Sequence, residues 1–116
     1  MERVINIVVP LNAMGLCGMT ENAAAYDERN LRIFALSEAE RCALSELFFR
    51  FNDEFDILID DFEEDILMVK QLPRALEITQ DFIAHADDGF VRESAKKVLE
   101  ALLFAQGVDM PVEFCF

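Results

Sequence analysis

The 116-residue chain combines an apolar content of 53%, which includes 11 Phe, with 23 acidic and 10 basic residues and a formal net charge of -13. This much apolar volume argues against disorder and predicts a single domain, residues 1–116, with its own hydrophobic core. The charge excludes direct binding to nucleic-acid phosphates or to an anionic membrane, because the densest basic stretch is only Lys96-Lys97 with Arg92 one turn earlier.

The N-terminal part of the chain predicts two strands with an irregular segment and a short helix between them. The β-branched run over residues 3–9, closed by Pro10, is typical of a strand inside a sheet. The stretch Leu11–Asn22 has no clear period and is interpreted as an irregular loop. A short helix is predicted over residues 21–28, and Leu31–Leu36 is predicted as the second strand.

A capping box marks the start of the next helix. Ser37 is followed three residues later by Glu40, and these two side chains can each accept a hydrogen bond from the other's backbone amide. The pattern predicts one helix from Ser37 through Phe51. Its apolar residues recur at three- and four-residue spacing and form one stripe, made of Ala39, Ala43, Leu44, Leu47, Phe48 and Phe51.

The segment Asp53–Val69 fits two secondary structures. Phe55, Ile57 and Ile59 alternate with neighbouring residues as in an edge strand, whereas the wider apolar spacing fits a helical stripe. We favour the helix. Its acidic side chains would then project away from the buried stripe and form one exposed anionic ridge.

This acidic segment is the candidate binding site. Eight of the 13 residues from Asp53 to Asp65 are acidic and none is basic. A basic protein is the natural partner of such a surface, since opposite fields accelerate encounter and suppress wrong partners. The alternative is a solvated face that serves solubility and forms some internal ion pairs. The candidate partner-binding residues are Asp53, Glu54, Asp56, Asp60, Asp61, Glu63, Glu64 and Asp65.

The C-terminal part predicts a helical hairpin and a last strand. Pro73 suits a first helical turn, a helix is predicted over Arg74–His85, and another over Phe90–Gln106. Gly107 is expected to be a left-handed cap. Val112, Phe114 and Phe116 alternate with Glu113 and Cys115, as in a half-buried strand. The chain is therefore predicted to have an α+β fold, with a small sheet of about three strands packed against about four helices.

No catalytic, cofactor or metal site is predicted. The three cysteines are odd in number and widely spaced, which favours reduced thiols and a cytoplasmic protein. His85 is the only histidine, there is no C-x-x-C, and the acidic segment lacks the Gly of a calcium loop. No Gly-rich phosphate loop or G-x-S-x-G is present. Asn6, Pro10 and Asn12 interrupt the N-terminal apolar run, so neither a signal peptide nor a membrane span is expected.

Residues 37–116 resemble small bacterial immunity proteins that neutralise contact-dependent or other polymorphic toxins. The resemblance is carried by Leu36-Ser37-x-x-Glu40, by Phe51-Asn52-Asp53-x-Phe55-Asp56, by the acidic segment and helical hairpin, and by the ending Gly107-x-x-x-Pro111-Val112-Glu113-Phe114. It implies a cytoplasmic acidic protein that binds a cognate toxin domain, often a basic nuclease, and blocks its active site or its nucleic-acid groove.

Two other functions stay open at this point. The first is a structural module of a cytoplasmic complex that self-associates into a homo-oligomer through an exposed strand edge, such as the one ending in Phe114 and Phe116. The second is a small enzyme, which the absence of a catalytic motif makes the weakest of the three.

Overall fold

The computed structural model describes residues 5–20, 28–60 and 64–116, and within them a four-stranded sheet packs against five helices. The strands are β1 (Ile5–Pro10), β2 (Leu31–Leu36), β3 (Glu64–Leu67) and β4 (Val112–Cys115). The helices are α1 (Ala13–Thr20), α2 (Glu38–Ala43), α3 (Ser45–Phe55), α4 (Leu72–His85) and α5 (Gly89–Val108). Short 3-10 turns at Glu28–Asn30 and Val69–Gln71 precede β2 and α4. The α+β prediction is confirmed.

The sheet is antiparallel with the strand order β2-β1-β4-β3. β1 lies inside the sheet, as its β-branched sequence predicts, and β2 is also confirmed as a strand. Val8 of β1 faces Glu113 of β4, which in turn faces Ile66 of β3. β4 is therefore an interior strand. The edge ending in Phe114 and Phe116 is occupied by β3 and β1, so the suggestion of self-association through that edge is wrong.

One hydrophobic core lies between the sheet and the helices. Alternate residues of β1 and β4 point into it, and α3 contributes an aromatic cluster through Phe48 and Phe51. The ring of Phe48 makes edge-to-face contacts with Phe114 and Phe116, at centroid distances of 5.8 and 5.0 Å. α4 and α5 form the predicted helical hairpin and cover the same core with small and aliphatic side chains.

The segment Leu11–Asn22 is not a loop over the residues described, because Ala13–Thr20 is helical. Asn12 caps this helix, since its side-chain oxygen accepts a hydrogen bond from the Gly15 amide at 2.9 Å. The two glycines inside the helix lower its intrinsic helix propensity, and its apolar residues show no clear helical period. The sequence therefore did not predict this helix. The helix predicted over residues 21–28 falls on positions outside the described ranges, except for Glu28 at the start of a 3-10 turn.

The predicted helix from Ser37 through Phe51 is divided into two helices at Leu44. The capping box is confirmed, with Ser37 and Glu40 bonded reciprocally at 2.9 and 3.1 Å. The break coincides with Ser45, whose hydroxyl donates a hydrogen bond to the Cys42 carbonyl at 3.0 Å. A serine hydroxyl that binds a nearby carbonyl competes with the helical hydrogen bonds, and a new helix begins at that residue.

The helix favoured over Asp53–Val69 is wrong. α3 ends at Phe55 because Asp56 adopts a left-handed backbone with a φ of 54°. The chain then runs without regular structure to Asp60, and β3 forms the edge of the sheet at Glu64–Leu67. The edge-strand alternative is correct for this part, although the strand begins later than the alternation of Phe55, Ile57 and Ile59 suggested.

Two details of the C-terminal part differ from expectation. The left-handed cap of α5 is Asp109, with a φ of 57°, and Gly107 is an ordinary helical residue. β4 is buried on both faces over most of its length, because Glu113 on the expected solvent face is only 7% exposed. No helix in the described ranges is both long and apolar enough to cross a bilayer.

Candidate functional site

The structure distributes the predicted acidic ridge over three elements. Asp53 and Glu54 lie on the last turn of α3, Asp56 is the left-handed residue that ends this helix, and Asp60 lies in the following loop. Asp65 belongs to β3. Asp61 and Glu63 lie outside the described residues, as does the side chain of Glu64. A single continuous helical ridge is therefore not formed.

Three of these carboxylates bind groups of the protein itself. Glu54 accepts a hydrogen bond from Arg74 Nε at 2.5 Å, and this bond raises the pKa of the Arg74 guanidinium above its ordinary value. Asp60 lies 3.7 Å from the buried Arg41. Asp65 accepts backbone hydrogen bonds from Leu58 at 2.7 Å and from Ile66 at 2.8 Å. Among the predicted site residues whose side chains the structure describes, this leaves Asp53 and Asp56 as the exposed carboxylates without an ion pair.

The outer side of α3 carries an exposed aromatic residue between charged neighbours. Phe49 is 62% exposed, although Phe48 beside it is fully buried. Glu46 and Asp53 lie three residues before and four residues after Phe49, so that helical geometry places all three on one side. An open hollow of about 490 Å³ is lined by Glu46, Phe49, Arg50, Asn52 and Asp53. We call Glu46, Phe49, Arg50 and Asp53 the α3 face.

A second hollow adjoins the α3 face where α4 turns into α5. It has a volume of about 400 Å³ and is lined by Glu46, Arg50, Phe82, His85, Ala86, Asp87, Asp88 and Val91. Arg50 reaches across to Asp81 of α4 at 3.2 Å, and His85 also approaches Asp81, at 3.3 Å. His85 lies in the last turn of α4, where the predicted helix placed it.

A third and smaller hollow connects the α3 face to the predicted acidic residues. It has a volume of about 190 Å³ and is lined by Arg50, Asp53, Glu54, Arg74 and Ile78. Arg50 lines all three hollows and is their common centre. Since Arg50 is paired with Asp81 and Arg74 with Glu54, the remaining charges around the hollows are mainly carboxylates.

Of the predicted site residues whose side chains the structure describes, it brings only Asp53 and Glu54 into this surface. Sequence reasoning missed Glu46, Phe49 and the acids of the α4–α5 turn. Phe49 had a signal in the sequence, because it is an aromatic residue that falls outside the apolar stripe of its helix. The approach of the α4–α5 turn to α3 has no signal in the sequence, because tertiary packing determines it.

The arrangement is suited to binding proteins. Among the described residues, no group of three or more His, Cys, Asp or Glu side chains is placed to hold a metal ion. The exposed phenylalanine and the surrounding carboxylates form an apolar centre with a charged rim, which is the usual anatomy of a protein interface. Comparisons with protein families, with curated proteins and with solved structures found no match.

Proposed function

We propose that this protein is an acidic binding module whose α3 face docks a basic protein domain. The observation that carries the proposal is the exposed Phe49 between Glu46 and Asp53, above an open hollow. Full burial of a large apolar side chain such as Phe, relative to leaving it in water, contributes about 1.5–3 kcal/mol of favourable free energy. The carboxylates around it, together with the net charge of -13, favour a partner that presents Lys and Arg.

The role that fits this surface best is immunity against a toxin. The resemblance of residues 37–116 to bacterial immunity proteins points to a cognate toxin domain, and a nuclease domain must expose cations to bind phosphates. An acidic surface with an aromatic anchor can occupy such a cationic site and exclude the nucleic acid. On this proposal the protein acts in the cytoplasm by binding alone and catalyses no reaction.

A titration tests the binding. The proposal predicts that a gene adjacent to that of this protein encodes a basic toxin domain, and that domain is the probe. Its affinity is measured by calorimetry for the wild type and for Phe49→Ala. We expect Phe49→Ala to weaken binding by about 30-fold or more, as truncation of a central aromatic anchor does. Leu103→Ala is the matched control, since Leu103 is also an exposed apolar residue of a helix but lies on α5. It should leave the affinity within about threefold of the wild type.

Salt dependence and protection of cells complete the test. The affinity of the wild type should fall steeply as salt rises, because exposed charges are screened. Co-expression of the wild type should protect cells from the toxin domain, and co-expression of Phe49→Ala should not. Failure of the wild type to bind this domain at low salt, or equal losses for Phe49→Ala and Leu103→Ala, would refute the proposal.

A further inference from the structure

The hollow between α3 and the α4–α5 turn has a composition suited to one long cationic side chain. Phe82 and Val91 are half-buried and form its floor, whereas Glu46, Asp87 and Asp88 are exposed and form its rim. Glu46 stands on α3, and the two aspartates stand on the turn that joins α4 to α5. The rim therefore supplies carboxylates from two separate elements around an apolar centre.

The cation that already lines the hollow is neutralised within the protein. Arg50 pairs with Asp81 at 3.2 Å, on the α4 side. Asp88 is held in place because its Oδ1 accepts hydrogen bonds from the amides of Phe90 and Val91 at 2.8 and 3.2 Å. Within the described residues, neither Glu46 nor Asp87 makes an ion pair. These two carboxylates are available to a partner.

The carboxylates supply the negative potential of the hollow. At the C-terminal end of α4, the Ala86 carbonyl already accepts a hydrogen bond from Arg92 Nη2 at 2.9 Å, so this helix end is partly neutralised within the protein. The positive N-terminal end of α5 is capped by the Asp88 carboxylate. Glu46 and Asp87 are therefore the charges that favour a cation at this position.

On these grounds we propose that the hollow binds an arginine side chain from the basic partner domain, an inference that rests on the proposed function. The aliphatic stem of the arginine packs on Phe82 and Val91, and its guanidinium lies between Glu46 and Asp87. Arginine fits better than lysine, because a planar guanidinium can bind carboxylates on two sides at once and stack on an aromatic ring. Phe49 then acts as the apolar anchor beside this polar one.

The experiment compares two double variants that lose the same charge. Glu46→Gln/Asp87→Asn removes the two available carboxylates of the hollow, whereas Glu93→Gln/Glu100→Gln removes two exposed carboxylates of α5 that do not line it. Both raise the net charge by two, so both weaken the long-range field equally. With the adjacent-gene basic domain as the probe, calorimetry should show a loss of about tenfold or more for the first variant and less than about threefold for the second.

A second measurement identifies the arginine on the probe. Each exposed arginine of the probe domain is replaced by lysine in turn. One such replacement should weaken binding to the wild type by about tenfold but leave the affinity for Glu46→Gln/Asp87→Asn unchanged. A double-mutant cycle gives this result when the two mutated groups are in contact. Equal losses for the two charge-matched variants, with normal binding by the wild type, would overturn the arginine site and leave the proposed function standing. A wild type that does not bind the probe would overturn both.

Discussion

Phe48 and Phe49 are neighbours in α3 with opposite environments, and truncating each to alanine separates folding from binding. Phe48 is fully buried and its ring contacts the rings of Phe51, Phe114 and Phe116 at centroid distances of 6.3, 5.8 and 5.0 Å. The guanidinium of Arg41 also lies 5.6 Å from its centre. Phe49 is 62% exposed.

The contacts set the expected magnitudes. Phe48→Ala leaves a cavity in the aromatic cluster and should lower the free energy of unfolding by about 3–5 kcal/mol. This is a large share of the roughly 5–15 kcal/mol that holds a typical domain folded. Phe48→Leu keeps part of the volume but loses the edge-to-face contacts, which predicts a loss of about 1–2 kcal/mol. Phe49→Ala should change stability by no more than about 0.5 kcal/mol, since its ring is in solvent and alanine is a better helix former.

Urea unfolding followed by far-ultraviolet circular dichroism measures these differences. Phe48→Leu gives a measurable transition even if Phe48→Ala does not fold. A loss for Phe49→Ala as large as that for Phe48→Leu would show that Phe49 packs into the core, and the assignment of the α3 face would then be wrong.

Two further predictions concern local structure and pH. Gly107→Ala should raise the free energy of unfolding by about 0.5–1 kcal/mol in the same assay, because Gly107 is helical and its added Cβ meets no atom within 4 Å; a loss would indicate a left-handed backbone there. Burial pushes the pKa of Glu40 up, but hydrogen bonds and charge from Lys97 and hydrogen bonds with Ser37 outweigh it and hold that pKa below its ordinary value of 4.5. The stabilisation is therefore present above about pH 4.5 and lost as the pH falls further. Glu40→Gln, which keeps the capping box, should have a lower free energy of unfolding than the wild type at neutral pH and should lose less of it on acidification. If the free energies of unfolding of the two proteins instead change with pH in parallel, the ion pair between Glu40 and Lys97 is contradicted.

Much of the fold could be predicted because its signals are local. β-Branched residues indicate β1, and the reciprocal bonds of Ser37 and Glu40 indicate the start of α2. Two apolar stripes joined by a short turn indicate the hairpin of α4 and α5. In each case the residues that determine the element are close together in the sequence, and tertiary packing reinforces their preference.

The errors fall where packing decides between two local preferences. Over Asp53–Val69 the apolar residues fit both the helical and the strand period. Which structure forms depends on the backbone of β4, with which Glu64–Leu67 pairs in the sheet. The end of α3 depends on one residue, Asp56, since aspartate tolerates the left-handed backbone better than most side chains. The candidate site shifted for the same reason. Three of the five acids whose side chains the structure describes bind groups of the protein itself, and the exposed Phe49 of α3 is the centre of the surface instead.

The position of β4 in the sheet also has a consequence for synthesis. β1 and β3 have no contact with each other in the sheet except through β4, which leaves the ribosome last of the four strands. Until then the growing polypeptide holds two incomplete halves with unsatisfied backbone edges, and pairing β1 with β4 requires closure of a loop of about a hundred residues, which slows folding. Each nascent copy has many more carboxylates than cations, so the copies repel one another. We expect this repulsion to limit edge-to-edge aggregation of the incomplete sheets during the delay.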